Sequence, residues 1–343
     1  MSLGKVWRAQ GGFFLVLPLV VAMLAGVPAA GDDSKVGPDV DRGTFAIVFE
    51  NDSFTASDRN YTNGVRFSYL WPADGGPDAS RWVADRAMGA DPEDRVYSGI
   101  ALGQSMFTPQ DIDVPELLPD QHPYAGWLYL SFSLLVDSGE SLNTLSLDVG
   151  LVGPDTGVEW TQRTVHDTFG AQDPKGWDNQ LGNEFGLVLA YDHKWRALAK
   201  WDAIGLAIDL TPSAGFSLGN VRTDANAGLT LRIGNNLQSD YGPPRIRPSV
   251  AGGGFFEPVD RFSWYVFAGI SGRAVAYDIF LDGNTMRDST EVDRRPFVGD
   301  AQAGVVVQFD RWQLGFTAVT RTEEFETQKD SQIFGAISLS VKL

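Results

Sequence analysis

Residues 44–72 read TFAIVFENDSFTASDRNYTNGVRFSYLWP, and two alternating runs at the ends of this stretch decide the fold. The first run places Phe45 and Phe49 on one face, and the second run places Val65 and Phe67 on one face in the same way. A period of two residues is typical of β-strands, because their successive side chains point to opposite sides. We therefore predict two antiparallel strands that are joined by the polar segment between them.

Runs of the same kind recur as far as GAISLSVKL at residues 335–343. We count about a dozen, and each is close to the roughly 9–11 residues of a tilted transmembrane strand. One face of these runs carries Arg66, Asp148, Arg232 and Arg273, and a water-filled lumen accepts such residues where a dry sandwich core does not. The sequence therefore predicts an all-β protein, an antiparallel transmembrane β-barrel of about 12 strands. The alternative is a soluble exported β-sandwich.

Large aromatic residues lie near the ends of several runs, and we predict that they form girdles at the two membrane interfaces. In this arrangement they share the lipid-facing side of the strands with the aliphatic residues. They are Trp71, Trp127, Tyr129, Trp264 and Tyr265.

The N-terminus has the three parts of an export signal. Lys5 and Arg8 are basic, residues 13–25 form an apolar core, and small residues follow at the predicted cleavage point. The core is shorter than the about 20 residues that a transmembrane helix needs. We therefore predict that residues 1–30 are a cleaved signal peptide and that residues 31–343 form a single barrel domain. This barrel is expected in the bacterial outer membrane.

Composition restricts the partners and the chemistry. The chain has a formal net charge of −17 and contains no cysteine. Nucleic acid is excluded as a partner because its phosphates need a basic protein surface. Without cysteine, disulfides and thiolate catalysis are excluded as well. An acidic, oxygen-rich surface beside an anionic lipid layer would instead favour divalent cations such as Ca²⁺ as bridges.

One segment departs from the strand pattern. GPDTGVEWTQRTVHDTFG at residues 153–170 has helical spacing, and Thr156 with Glu159 predicts a capping box at its start. Gln162 and His166 are four residues apart and so share one face of the predicted loop helix. His166 is a candidate general base, with Gln162 orienting a water or holding the imidazole tautomer. The alternative is a polar histidine on an exposed helix.

The polar segment between the first two strands holds further candidates. Strand alternation predicts that Asp52 and Thr62 continue the inward rows and that Asn51 continues the outward row. Amide, carboxylate and hydroxyl oxygens at this strand end are hard ligands that suit Ca²⁺. The alternative is a loop in which Asn51 and Asp52 build an Asx-turn. His122, further along the chain, is interpreted as a structural or rim residue.

Several motifs occur together and in order: FENDSF, DRNYTNG, GQSMFTP, HPYAGWLYL, VGP with a later Gln and His, and GWDNQLGNE. Over essentially the whole mature chain, the sequence resembles the outer-membrane lipid A 3′-O-deacylase family. The resemblance implies a transmembrane barrel and a Ca²⁺-dependent hydrolase that removes the acyloxyacyl group at the 3′ position of lipid A. It also implies an active site between the barrel wall and a loop helix, open to the outer leaflet.

The resemblance also implies site residues and partners. The family's Asn-Asp pair falls on Asn51 and Asp52, which would hold Ca²⁺, its strand Thr falls on Thr62, and its helical Gln and His fall on Gln162 and His166. The implied partners are lipid A or lipopolysaccharide and other outer-membrane lipids, with no protein partner predicted.

Two positions depart from the family pattern. The segment DIDVPELLPDQH at residues 111–122 lacks the lysine that family members carry before the PYAG-like motif. Gln172 stands where a characterised member has a glutamate six residues after the histidine. Three other functions stay open: an outer-membrane phospholipase with a serine nucleophile, a non-catalytic barrel that binds envelope lipids or passes small molecules, and a carbohydrate-binding β-sandwich.

Overall fold

The structure is a computed structural model that describes residues 43–52, 60–203, 205–242 and 254–343. The predicted signal peptide at residues 1–30 and the middle of the first polar loop lie outside these residues. No helix within the described residues is both long and apolar enough to cross a bilayer.

Antiparallel strands dominate the described chain, and apart from β6 and β7 the strands that follow one another in sequence are paired. β1 also pairs with β13, and β6 pairs with β8, so twelve of the thirteen strands close a barrel. The short β7 is attached to β8 as an extra strand. The predicted barrel of about 12 strands is therefore confirmed. The strands are β1 Thr44–Asn51, β2 Asn60–Leu70, β3 Arg95–Thr108, β4 Ala125–Asp137, β5 Ser141–Val152, β6 Glu184–Trp195, β7 Ala199–Ala203, β8 Leu206–Gly219, β9 Arg222–Gly234, β10 Val259–Asp278, β11 Phe297–Asp310, β12 Trp312–Arg321 and β13 Gln332–Lys342.

Within the described residues, three short α-helices lie in the connections: α1 Ala79–Val83, α2 Val158–Phe169 and α3 Ile279–Asp282. The predicted loop helix is therefore present as α2. Its predicted capping box is wrong, because Gly157 is the N-cap with a left-handed φ of 71° and has no side chain to accept a hydrogen bond. The Thr156 hydroxyl instead donates to the Gly153 carbonyl at 2.6 Å.

The two faces of the barrel differ in polarity as the alternation predicts. The lumen holds buried ion pairs, including Arg232 with Asp209 at 2.6 Å and Arg321 with Asp300 at 2.8 Å. Pairing offsets the cost of taking these charges out of water. The outer face presents exposed apolar side chains, among them Leu102, Leu130, Phe132, Leu147, Leu187, Leu229, Leu231 and Phe316.

Some of the predicted girdle residues are on the opposite face. Trp127, Tyr129 and Tyr265 are buried at 6, 6 and 1 % exposure and point into the barrel, so their assignment to the lipid side is wrong. The rings fill space left by glycine: a Cβ at Gly103 would lie 2.3 Å from the Tyr129 ring, and one at Gly186 would lie 2.3 Å from Trp127. Trp71 and Trp264 remain partly exposed, as a girdle requires.

The long α2 connection lies at the opposite end of the barrel from the short turns β4–β5 and β11–β12. Outer-membrane barrels have long extracellular loops and short periplasmic turns, so α2 lies at the extracellular end. At that end the ring of Phe280, from α3, stacks on Phe107 at 4.1 Å within an apolar cluster that includes Trp127. These side chains pack across the extracellular mouth of the barrel.

The described parts of the connection between β9 and β10, residues 235–242 and 254–258, pack into the periplasmic end. Asp240 accepts hydrogen bonds from Arg232 at 2.7 Å and from the Tyr265 hydroxyl at 2.9 Å. The Tyr241 hydroxyl donates to Asp137 at 2.5 Å. Burial raises the pKa of Tyr241, and the neighbouring Asp137 carboxylate raises it further, so the phenol stays protonated and keeps this connection in place.

Candidate active site on the outer wall

Five residues form one row across neighbouring strands near the extracellular end. Gly335 of β13 pairs with Asn51 of β1, and Asn51 pairs with Asn63 of β2. Asn63 in turn pairs with Met106 of β3, which pairs with Gly126 of β4. Met106 alternates with lumen-facing neighbours, so this row lies on the outer face of the barrel.

Helix α2 begins against the same row. Its first residue, Val158, belongs to one apolar cluster with Met106. A Cβ at Gly126 would lie 2.2 Å from the Thr156 hydroxyl oxygen, and Gln104 Nε2 donates to the Thr156 carbonyl at 2.9 Å. The helix therefore packs on the outside of β3 and β4, and only β2 separates this contact from Asn51. This is the arrangement of wall and helix that the family resemblance implies.

A β-bulge redirects Thr62. The register between β2 and β3 steps from Tyr61 to Asn63 and leaves Thr62 as an extra residue. Its hydroxyl lies 2.7 Å from that of Thr108, which follows the inward-facing Phe107 in β3 and so lies on the outer face. The prediction that Thr62 points to the lumen is wrong, because a bulge interrupts the alternation on which it was based.

The other residues of the first loop lie beside Thr62. The Asp52 amide donates to the Thr62 carbonyl at 3.2 Å, and the Asp52 side chain is buried. Asn51 is half-buried on the outward row, as predicted. Within residues 43–52, 60–203, 205–242 and 254–343, no three His, Asp or Glu side chains form a metal-binding group. The oxygen donors of Asn51, Asp52 and Thr62 nevertheless match the chemistry of Ca²⁺, which accepts amide, carboxylate and hydroxyl oxygens.

His166 is buried on α2, and its tautomer is set by the main chain. The Nδ1 atom contacts the Gln172 carbonyl oxygen. A carbonyl only accepts hydrogen bonds, so Nδ1 carries the proton of the neutral ring and Nε2 carries the lone pair. In this tautomer Nε2 is the basic nitrogen of the ring. The exposed-histidine alternative is excluded, since the side chain is 7 % exposed.

Gln162 lies one turn before His166 and presents a free donor. Its Oε1 accepts a hydrogen bond from the Trp177 indole at 2.8 Å, while its Nε2 has no partner among the residues that the structure describes. A buried amide without a partner costs about 1–3 kcal/mol, so the site is complete only when an acceptor meets it. The imidazole tautomer is held by the Gln172 carbonyl, and Gln162 is not needed for that role.

His122 belongs to a different environment. Its Nδ1 contacts the Pro123 carbonyl at 2.8 Å, and its ring stacks on Phe107 at 5.4 Å. Phe107 belongs to the apolar cluster at the extracellular mouth. The structure therefore supports the interpretation of His122 as a structural residue.

Four contributors to the site were not assigned a role from the sequence. Met106 and Thr108 lie in the motif GQSMFTP and contact Val158 and Thr62. Trp177 and the Gln172 carbonyl hold the two polar side chains of α2. The motifs themselves stand out in the sequence. Their contacts depend on strand register and on the path of an irregular segment, so residue spacing does not predict these contacts.

Fold and site together define an outer-membrane β-barrel that carries a helix-covered polar site on its outer wall. The sequence model of the family described as "Outer membrane protein LpxR" matches residues 15–343. The chain therefore belongs to the LpxR family, and the resemblance to outer-membrane lipid A 3′-O-deacylases is confirmed. A comparison with curated protein sequences finds no match.

The chain was also compared with solved structures. The chain is similar to LpxR from Salmonella typhimurium with a TM-score of 0.71 and 19 % identity, over 88 % of this chain and 100 % of that chain. The β domain of the Bordetella autotransporter BrkA has a TM-score of 0.41 and 10 % identity, over 88 % and 100 % of the two chains. For the translocator domain of NalP from Neisseria meningitidis the values are 0.35 and 10 %, over 96 % of each chain.

Proposed function

We propose that this protein is an outer-membrane lipid A deacylase that hydrolyses the ester of the 3′-acyloxyacyl group. Membership of the LpxR family supports this proposal. The observation that carries it is the pair of buried side chains on α2: the Gln172 carbonyl holds His166 Nδ1, and the Gln162 amide nitrogen has no partner among the described residues. We further propose that residues 1–30 direct export and are removed.

His166 supplies the base. Its Nε2 takes a proton from a water molecule while the water oxygen attacks the acyl carbonyl carbon. The tetrahedral intermediate then expels the sugar oxygen, and the imidazolium returns the proton to that oxygen. The products are a free acyloxyacyl carboxylic acid and a hydroxyl group on lipid A, so no covalent enzyme intermediate forms. Throughout, the Gln172 carbonyl accepts the Nδ1 proton in a hydrogen bond and keeps the ring oriented.

Hydrogen-bond donors of the protein stabilise the negative charge that develops on the acyl carbonyl oxygen. The unpaired Nε2 of Gln162 donates to this oxygen as negative charge develops, and such a donor is commonly worth about 10²–10³ in kcat. Thr62, fixed by Thr108, positions the water or the carbonyl. Asn51 and Asp52 would hold Ca²⁺, which when bound supplies further positive charge for the oxyanion.

The barrel wall supplies the apolar part of the substrate site. Directly along the strands from Asn51, the outward side chains Phe49, Val65 and Ile337 are neighbours on β1, β2 and β13. They are partly exposed, and acyl chains of the outer leaflet can lie along them. The ester is thereby presented at the level of the polar row while the chains stay in lipid.

Two of the open alternatives fit the structure less well. A soluble carbohydrate-binding β-sandwich is excluded by the closed barrel with its charged lumen. Passage of small molecules is opposed by the side chains that pack across the extracellular mouth, with Phe280 stacked on Phe107. A phospholipase remains to be distinguished by its products.

The test is incubation of the purified protein with lipopolysaccharide in detergent micelles, with Ca²⁺ or with a chelator, followed by mass spectrometry of lipid A. We expect the mass of lipid A to fall by that of the 3′-acyloxyacyl group when Ca²⁺ is present, and to stay unchanged when the chelator is present. Release of fatty acid from added glycerophospholipid, with lipid A unchanged, would show a phospholipase instead. Unchanged lipids under all conditions would contradict an enzymatic role.

A further inference from the structure

Trp177 is fully buried between the loop helix and the barrel wall. Its side chain has 0 % exposure and lies in a cluster with Met106, Tyr124 and Val158. The ring centroid of Trp177 is 4.7 Å from that of Tyr124, and Trp177 is the first residue of the 3₁₀ turn Trp177–Asn179. A rotation of the indole would need the whole cluster to move, because a close-packed interior leaves little free space.

The indole N–H fixes which end of the Gln162 amide faces the site. An indole nitrogen only donates, so its partner at 2.8 Å must be the carbonyl oxygen of Gln162. The NH₂ group is then directed away from Trp177. This nitrogen is buried, finds no partner in the described part of the chain, and belongs to a residue with 3 % exposure. One hydrogen bond therefore determines that Gln162 presents a donor and not an acceptor.

The same segment orients both polar side chains of α2. The Gln172 carbonyl contacts His166, and five residues later the Trp177 side chain contacts Gln162. The segment is tied to the loop before β4, because the Lys175 amide donates to the Ile112 carbonyl at 2.7 Å. The helix, this segment and the β3–β4 loop thus form one packed unit.

We propose that Trp177 is a positioning residue for ester hydrolysis at this site, an inference that rests on the proposed function. Its indole N–H holds the Gln162 amide with NH₂ toward the acyl carbonyl oxygen of the lipid. Without this hydrogen bond the amide can turn over, and Gln162 Oε1 then faces the developing oxyanion and opposes it. Trp177 touches neither substrate nor water and acts only through Gln162.

A merely structural role for the large ring is the competing explanation. Two replacements separate it from positioning. Trp177→Phe keeps an aromatic ring and removes the N–H, and β-(3-benzothienyl)alanine at position 177 keeps the bicyclic shape and replaces the N–H by sulfur. Tyr124→Phe is the matched control in the same cluster, since it removes only the hydroxyl that donates to Ile112 at 3.1 Å.

The experiment measures kcat and KM for lipid A deacylation in micelles, in the wild-type and Gln162→Ala backgrounds. We expect both replacements at position 177 to lower kcat roughly 10- to 100-fold with KM nearly unchanged, and Tyr124→Phe to leave kcat unchanged. In the Gln162→Ala background, the same replacements should cause no further loss, because residues that act as a unit are non-additive.

An equal loss of kcat in both backgrounds would overturn the inference, because the ring would then act through packing. Wild-type kcat in the benzothienyl variant would overturn it as well. If the wild-type protein itself leaves lipid A intact, the proposed function fails and the positioning role falls with it. That outcome is distinguished from the first two by the wild-type reaction alone.

Discussion

The hydroxyl groups of Thr62 and Thr108 lie 2.7 Å apart on the outer face of the barrel. This contact exists because the bulge in β2 adds Thr62 as an extra residue between Tyr61 and Asn63. Bulges are frequent beside active sites, where they redirect a side chain. Here the bulge moves a hydroxyl from the lumen side to the outer face, which also carries Asn51.

Thr62→Val tests whether this hydroxyl works in catalysis. We expect kcat to fall at least about tenfold, while loss of the hydrogen bond to Thr108 costs about 0.5–1.5 kcal/mol of stability. Thr317→Val is the matched control, because Thr317 is a buried threonine on β12. Equal activities of the two variants in the micelle assay would contradict a role for Thr62.

Gly126→Val tests the packing of α2 on the wall. The new side chain would meet Thr156 and Val158, whose atoms lie within 2.2–2.9 Å of the Cβ position. We expect the variant to keep heat-modifiable barrel migration in gel electrophoresis and to lose most deacylase activity. Gly272→Ala is the control, since its Cβ has 4.0 Å to the nearest atom. Full activity of Gly126→Val would mean that the site does not need α2 on β4.

Gln172→Ala separates the main chain from the side chain at this position. Because the Gln172 carbonyl contacts His166, we expect the alanine variant to retain activity within about twofold, with the imidazole still oriented by its Nδ1 hydrogen bond. A loss as deep as that of His166→Ala would show that the Gln172 side chain acts in catalysis and that the carbonyl is insufficient.

Removal of Ca²⁺ tests the proposed cation at the first loop. We expect a chelator to abolish deacylation and added Ca²⁺ to restore it. Asp52→Asn should raise the Ca²⁺ concentration for half-maximal activity roughly tenfold or more, a change of about 1.4 kcal/mol per decade. The exposed Asp155→Asn is a control with the same charge change. Full activity in the presence of the chelator would show that deacylation does not need Ca²⁺.

The recurring alternating runs, with charged residues on one face, predict the barrel, and the alternation of β1 predicts the outward position of Asn51. Helical spacing likewise placed Gln162 and His166 together, because positions four apart share a face. Both predictions depend only on local periodicity. A period is a property of one segment, so it is readable without knowing what that segment packs against.

The predictions that were wrong concern side chains whose direction depends on a second segment of the chain. The direction of Thr62 follows from the register between β2 and β3, which one strand alone does not encode. Trp127 and Tyr129 point inward because neighbouring strands leave space for their rings at Gly186 and Gly103. The partners of α2, Gln172 and Trp177, come from an irregular segment without any period.

The most direct test of the central claim compares lipid A after treatment with wild-type protein, His166→Ala and Asp167→Asn in Ca²⁺-containing micelles. Asp167 is the exposed neighbour of His166 on α2. Mass spectrometry should show the 3′-acyloxyacyl group removed by wild type and Asp167→Asn, and a rate roughly 10²- to 10⁴-fold lower for His166→Ala, as expected for loss of a general base. Deacylation by His166→Ala at the wild-type rate would show that His166 is not the general base of the reaction.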